Sequence, residues 1–248
     1  MGGKLPRRVK FVKQMKKRFP TKESRESMLS IDEKVFGGEE PHFAFEYRPD
    51  VGDVPDDVAF MGVQAETRTQ RPKTMALVCV SRTKKIGLWW LPMGKGRGKG
   101  VCSATLVPLR TKMRDEAKRQ GIKTPVLVYD RATVHTSKET QEELDRVFGK
   151  GNHEAQSPKS PDTNNGDAGL FPNGARATAC SCATNKAEVE TTVAAWWKTV
   201  DEEMLTAIDD GVLRNYDRIL ELKSGNFYDE SRVAKYLPPS HFFFLLIL

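Results

Sequence analysis

The sequence predicts an α/β domain, and three observations carry that prediction. Apolar runs between Ser27 and Leu91 read as a meander of antiparallel strands, residues 124–149 read as strand, loop and helix, and residues 186–222 carry helical periodicity. A chain of 248 residues with 38% hydrophobic composition has enough apolar material for one fair-sized domain, with or without an appendage, and fits neither a disordered nor a fibrous class.

Each element follows from local pattern. Residues 4–18 place Val9, Val12, Met15 and then Phe19 at three- and four-residue spacings beneath a basic surface, the signature of an amphipathic helix that stops at Phe19-Pro20. Ser27 to Ile31 predicts a short strand delivering Asp32 at its end. His42–Tyr47, Thr74–Val80 and Lys85–Leu91 continue the meander, with a Pro/Asp/Gly turn region at 48–57. Arg110–Gln120 predicts a basic helix stopped by Gly121.

Thr124–Tyr129 is a β-rich run ending in Asp130, and Thr136 with Glu139 forms a capping box for a helix that runs through Leu144, Val147 and Phe148 to Gly149. A carboxylate at the C-terminal end of a strand in an open α/β sheet sits where ligands and catalytic groups gather. After a turn-rich segment at 156–167, Pro172 and Gly174 interrupt any helical pattern over 168–179. Residues 186–222 predict two helices broken near Val200-Asp201, burying Val189, Val193, Trp196, Trp197, Leu205, Ile208, Val212, Leu213, Tyr216, Ile219 and Leu220. The adjacent pairs Trp89-Trp90 and Trp196-Trp197 each predict at least one core member, and His135 reads as a structural hydrogen-bonding partner before a proton shuttle or ligand.

Charge narrows the class of partner. The formal net charge of +7 is uneven: residues 1–22 hold nine basic and no acidic side chains, residues 82–123 hold twelve basic and two acidic, and the remainder holds 19 basic and 31 acidic. Two basic blocks against an acidic remainder point to a polyanion, most often nucleic acid. Lys4, Arg7, Arg8, Lys10, Lys95, Arg97 and Lys99 are the candidate nucleic-acid contacts. Gly94–Gly100 alternates glycine with basic residues, but Lys99 is followed by Gly100 where a phosphate-binding P-loop needs a hydroxyl residue. The longest apolar run, Phe242 to Leu248, falls short of the roughly 20 residues that cross a bilayer, so no membrane partner is expected. Cys79, Cys102, Cys180 and Cys182 show neither zinc spacing nor a disulfide ladder and read as reduced thiols, which with no signal-peptide pattern places the chain in cytosol or nucleus.

Asp32, Asp130 and Asp167 stand at strand ends or in the turn-rich loop, and carboxylates so far apart in sequence converge only through the fold. Three converging carboxylates suit a hard divalent cation such as Mg²⁺, and a pair of ions can activate water and stabilise a leaving oxygen in phosphodiester chemistry. The bland alternative is ordinary acidic residues at loops and helix starts.

Three segments in order resemble mariner-superfamily transposases. Ile31-Asp-Glu-Lys-Val-Phe36 is similar to the I-D-E-K-W-F segment around their first catalytic aspartate, Tyr129-Asp-Arg-Ala-Thr-Val-His-Thr-Ser-Lys138 to the D-N-A-x-x-H-T-S-K segment around the second, and Ser160-Pro-Asp-Thr-Asn-Asn-Gly-Asp167 to the S-P-D-x-N-x-x-D segment carrying the third. Weaker matches fall in the same order at Arg8-Val-Lys-Phe11, Arg71-Pro-Lys-Thr-Met75, Lys85-Ile-Gly-Leu-Trp89 and Leu222-Lys-Ser-Gly-Asn-Phe-Tyr228. The resemblance implies a ribonuclease-H-like mixed sheet flanked by helices, with Asp32, Asp130 and Asp167 as catalytic residues and ligands of two Mg²⁺ or Mn²⁺ ions. It further implies DNA as partner, a homodimer, and work in the nucleus, or in the cytoplasm of a prokaryote. The implied organisation is a basic N-terminal helix at 1–24, the catalytic domain at 25–230 and a tail at 231–248.

Departures from the pattern frame the alternatives. Arg131 replaces the family's Asn and would either compete with a cation for Asp130 or turn outward; Val35 replaces Trp; Gly169-Leu-Phe-Pro-Asn-Gly174 replaces the helix after the third acid. Proline inside a helix costs about 3 kcal/mol and glycine about 1, so Asp167 is expected to be displaced. The chain starts immediately before the catalytic region, with the family's helix-turn-helix recognition segment expected to be missing. A catalytically decayed, DNA-binding remnant is therefore the alternative to a strand-transfer enzyme, and a nuclease acting on RNA–DNA hybrids is a third reading.

Overall fold

The computed structural model describes residues 5–37, 72–93, 103–179 and 183–222. The expected strand at 42–47, the turn region at 48–57, the Gly94–Gly100 loop, Cys102, Cys180, Cys182 and the apolar tail lie outside the described residues.

Helix α1 (Leu5–Arg18) leads through a short turn into strand β1 (Met28–Phe36), followed by β2 (Thr74–Val80), β3 (Lys85–Leu91) and helix α2 (Ser103–Arg119). Strand β4 (Val126–Tyr129) precedes the single-turn helix α3 (Thr133–Thr136), α4 (Lys138–Phe148) and β5 (His153–Ala155). Helices α5 (Phe171–Ala179), α6 (Lys186–Thr199) and α7 (Glu202–Glu221) complete the described chain. The sheet runs β3-β2-β1-β4-β5; β1, β2 and β3 pair antiparallel, while β1–β4 and β4–β5 pair parallel.

Side chains alternate across the sheet and divide its two faces. Leu29, Ile31, Leu77, Cys79, Leu127 and Tyr129 pack on one face beneath Leu106 and Met113 of α2 and Leu144 and Phe148 of α4. Phe36, Ala76 and Val78 pack on the other face against α5 and α6, and Met28, Val126 and Val128 meet Phe11, Val12 and Met15 of α1 with Val212 and Tyr216 of α7. Each fully buried large apolar side chain contributes about 1.5–3 kcal/mol, an upper figure because the unfolded chain already hides part of its surface. The N-terminal helix thus shares a core with α7 and the sheet.

Several local readings change. β1 continues to Phe36, so Asp32 stands inside the strand, because β2 pairs with it through Phe36↔Thr74. The cap of α4 is Ser137, whose side chain accepts from the Thr140 N–H, while Thr136 closes the preceding single turn. Helix α2 begins at Ser103, upstream of the predicted start, and tolerates Pro108 on its exposed side. Trp89 and Trp90 are both only half-buried, one packed on each face of the edge strand β3.

The segment expected to break is helical. Gly166–Leu170 forms a π-helical turn that runs directly into α5. Pro172 is the second residue of α5, directly after the π-helical turn, and it is exposed. Gly174 serves packing: a Cβ there would stand 2.8 Å from the Trp196 ring, so glycine lets α6 close on α5. The predicted break at Val200-Asp201 is present, with Asp201 capping α7 by accepting from the Met204 N–H at 2.8 Å.

A buried ionic node ties these layers together. Both carboxylate oxygens of Asp209 on α7 bind Arg25, through Nε at 2.7 Å and through Nη2, and Arg82 Nη1 approaches Oδ2 at 2.9 Å. The Arg25 guanidinium also stacks 5.5 Å over the Tyr216 ring.

Candidate active site

The sheet places Asp32 and Asp130 at one end of two adjacent parallel strands, and the turn that carries Asp167 passes beside Asp32. Ser30 of β1 pairs with Val128 of β4, so Asp32 and Asp130 lie two residues further along parallel neighbours, at the end where β4 stops. Asp167 enters from the π-helical turn, whose first residue Gly166 passes so close that a Cβ would stand 3.2 Å from the Asp32 Cβ. Glycine at 166 therefore permits that approach. Extra-residue turns of this kind recur at functional sites because they re-aim a side chain without breaking the helix.

Asp32 is the electrostatic centre. Burial pushes its carboxyl well above the ordinary range, and the charges of Asp167, Glu33 and Asp130 push it further; its hydrogen bond from the Glu33 N–H works in the opposite direction. Like charges crowded in a half-buried place disfavour ionisation, and a cation would relieve that cost.

Asn164 braces this carboxylate, a role the sequence reading missed. Its Nδ2 donates to Asp32 Oδ2 at 2.6 Å, while its Oδ1 accepts from Ser30 Oγ at 2.8 Å and from the Gly166 N–H at 2.9 Å. The signal was present as the Asn of the Ser160–Asp167 segment.

Asp130 is half exposed, and its Oδ1 accepts from the Ala132 N–H at 2.9 Å, an Asx-type turn that sets the loop after β4. Nε2 of His135 stands 3.7 Å from the same oxygen and 3.2 Å from Glu33 Oε1. Glu33 points to the opposite sheet face from Asp32, where the buried Arg110 touches His135 and is ion-paired with Glu143. The group Glu33, His135, Arg110 and Glu143 was not anticipated, apart from His135, because its members share no spacing pattern. Of the two readings for Arg131, the outward one holds: its Nε donates to the Gln156 carbonyl at 2.7 Å and the residue is exposed.

The donor chemistry suits a hard divalent cation, since three carboxylates, two of them facing Asp32 closely enough to raise it, supply only oxygen ligands. Among the described residues, however, no three His, Cys, Asp or Glu side chains are grouped closely enough to hold a metal ion.

The basic candidates separate. Arg7 and Lys10 are exposed on α1. Arg8 is only 4% exposed and ion-paired with Asp162, so its guanidinium supports the Ser160–Asp167 turn and is not presented to a nucleic acid. Lys4, Lys95, Arg97 and Lys99 lie outside the described residues. No described helix is long and apolar enough to cross a membrane.

No family model matches the chain. No curated protein matches it either. Solved structures do. The Mos1 transposase paired-end complex with left transposon end matches at 18% identity and a TM-score of 0.71, over 90% of this chain and 63% of that one. The catalytic domain of Mos1 mariner transposase matches at 17% identity and 0.66, over 90% and 95%. The Mos1 strand transfer complex matches at 16% identity and 0.66, over 90% and 62%. The chain thus spans less than two thirds of the transposase in the paired-end complex and nearly all of the isolated catalytic domain. A mixed sheet in the order β3-β2-β1-β4-β5, flanked by helices on both faces and carrying Asp32 and Asp130 on adjacent parallel strands, gives this chain the ribonuclease-H-like fold of the Mos1 mariner transposase catalytic domain.

Proposed function

We propose that the protein is a transposase-like catalytic domain acting on DNA by metal-dependent phosphodiester cleavage and strand transfer. The observation that carries the reading is the position of Asp32 and Asp130 at the same end of adjacent parallel strands, with the turn that carries Asp167 passing Asp32 at Gly166. Support comes from the likeness to Mos1 structures described as paired-end complexes with Mn and with Mg and as a strand transfer complex.

On this reading Asp32, Asp130 and Asp167 hold Mg²⁺ or Mn²⁺, two ions by the family pattern. Such ions activate a water or hydroxyl nucleophile and neutralise charge on the leaving oxygen. The chain's own work is positional. Asn164 orients Asp32 through one hydrogen bond and is itself held by two more, from Ser30 Oγ and the Gly166 N–H. The turn at Ala132 aims Asp130, and the Gly166–Leu170 turn delivers Asp167. Assembly as a homodimer belongs to the same proposal, in line with the paired-end architecture named for the Mos1 complexes.

Purified protein with Mn²⁺ should nick duplex DNA, and Asp130→Asn should abolish nicking while leaving the thermal melt intact. Nicking that survives the substitution overturns the assignment. A second reading, DNA binding without cleavage, is favoured by the absence of a three-ligand group among the described residues. Titration of the protein with Mn²⁺, followed by the loss of the free-ion paramagnetic resonance signal, separates the two: saturable binding that Asp32→Asn removes supports the catalytic reading, and no binding supports the second.

A further inference from the structure

A cleft of about 280 Å³ opens between α1 and the β4–β5 edge of the sheet, and no role assigned above uses it. Its walls carry Arg7 and Lys10 from α1, Arg131 from the loop after β4, and Ser157 beyond β5, with Gln14 and Glu154 at one side. Arg7, Lys10 and Gln14 follow at intervals of three and four, so they line one stripe of α1 above the buried Phe11. Arg131 reaches the cleft because its Nε is anchored on the Gln156 carbonyl, which draws the guanidinium away from Asp130.

The hydroxyl of Ser157 distinguishes this cleft from a solvated basic surface. Ser157 is 6% exposed, and its Oγ is buried with no hydrogen-bond partner. A buried hydroxyl left unpaired is destabilising, and a bound acceptor would recover that cost. Among the described lining residues Glu154 is the opposing charge; Gln14 Nε2 donates to its Oε2 at 2.5 Å, and the charges of Arg18 and Arg131 act on it. Three cations lining a narrow cleft, with the unpaired Ser157 hydroxyl buried in the residue at its wall, fit a tetrahedral oxyanion with several acceptor oxygens.

We propose that this cleft is a phosphate-binding subsite that holds one backbone phosphodiester of a DNA strand. Arg7, Lys10 and Arg131 neutralise the phosphate, and Ser157 Oγ donates to it. The proposal deepens the DNA-acting reading and depends on it for the choice of a polymer ligand. It gives Arg131, which departs from the family pattern, a positioning role: adjacent in sequence to Asp130, it would tie the strand to the site. Phosphate contacts of this type position a strand without reading its sequence.

The test is equilibrium binding of a fluorescein-labelled DNA duplex to the full chain in EDTA, followed by anisotropy across a salt series. EDTA separates binding from metal-dependent cleavage. The double variant R7Q/R131Q should weaken binding by about tenfold near 0.1 M salt, and flatten the plot of log K against log salt by about 0.9, the value of one lost phosphate contact. Ser157→Ala should weaken binding severalfold while leaving the thermal midpoint unchanged or slightly raised, because the hydroxyl it removes has no partner in the free protein. Since Ser157→Ala breaks no contact, it keeps the test valid even if the double variant folds poorly.

Lys112→Gln with Lys118→Gln removes two exposed charges from α2 as the control. An equal loss in the control and in R7Q/R131Q makes the effect generic and overturns the subsite, as does unchanged affinity in both cleft variants. Inorganic phosphate forms the second arm: if it binds at millimolar concentration, Ser157→Ala weakens it, and DNA fails to compete, the cleft takes free phosphate and the DNA assignment falls. Intact cleft-dependent DNA binding together with no nicking in Mn²⁺ would leave this subsite standing and overturn the catalytic reading alone.

Discussion

Nη2 of Arg110 lies 3.2 Å from Nδ1 of His135. Arginine only donates, so Nδ1 is the acceptor, and the neutral ring carries its proton on Nε2, the nitrogen that faces Glu33 at 3.2 Å and Asp130 at 3.7 Å. Arg110 thereby sets the tautomer of His135 beside the candidate site, and Glu143 in turn holds Arg110.

The first prediction concerns that pair. Arg110→Met leaves Glu143 buried beside nothing that compensates its charge and should lower stability by about 3–5 kcal/mol. Arg110→Met combined with Glu143→Leu should recover most of the loss. Urea denaturation of the two variants and the wild type measures it; equal losses in the single and double variants would show that the pair is not the source.

Asn164→Ala removes an amide that makes three side-chain hydrogen bonds, to Asp32, Ser30 and the Gly166 N–H. The expected cost is about 2–3 kcal/mol, since buried partners lose their acceptor or donor. Under the catalytic reading, nicking should fall with it even at temperatures where the variant is fully folded. A denaturation midpoint that does not move would remove Asn164 from its bracing role.

Tyr216 makes alkaline stability a readable quantity. Its phenol is buried beside the Arg25 guanidinium, and burial pushes its pKa up to about 12, against the counteracting charge of Arg25. The unfolded chain releases this proton near pH 10. Stability from the neutral phenol is therefore whole below pH 10 and is lost as the pH rises to 12, by about 3 kcal/mol over the two-unit gap. Tyr216→Phe cannot ionise, so its stability measured by urea at pH 9 and pH 11.5 should fall less than that of the wild type; parallel falls would contradict the prediction.

Gly174 and Pro172 should respond in opposite ways. Gly174→Val drives a side chain into the Trp196 ring and should cost about 1–3 kcal/mol by overpacking, with a red shift of tryptophan emission. Pro172→Ala, in an exposed first turn, should change stability by less than about 0.5 kcal/mol. Thermal melts of the two variants test both expectations, and a large loss from Pro172→Ala would mean that the proline stiffens the entry to α5.

Legibility in the sequence tracked the range of the determining interactions. The amphipathic α1, strands β2 and β3 and the α6–α7 break at Asp201 are written in periodicity and caps, which act within a few residues. The length of β1 was missed because only pairing with β2 carries it past Asp32. The cap of α4 was assigned one residue early because Thr136 and Ser137 both offer a hydroxyl, and the preceding turn decides between them. Arg8 read as a surface cation because its partner, Asp162, is remote in sequence.

The sequence by itself determined the α/β class, the order of most elements and, through resemblance, the three aspartates worth following. Tertiary structure alone decided their surroundings. It brought the Gly166 turn against Asp32, turned Arg131 outward to Gln156, and built the brace at Asn164 and the Glu33–His135–Arg110 group from separate elements. The physical reason is that local propensity acts over a turn or a strand, whereas charge, burial and hydrogen-bond partnership depend on which surfaces the packed sheet brings together.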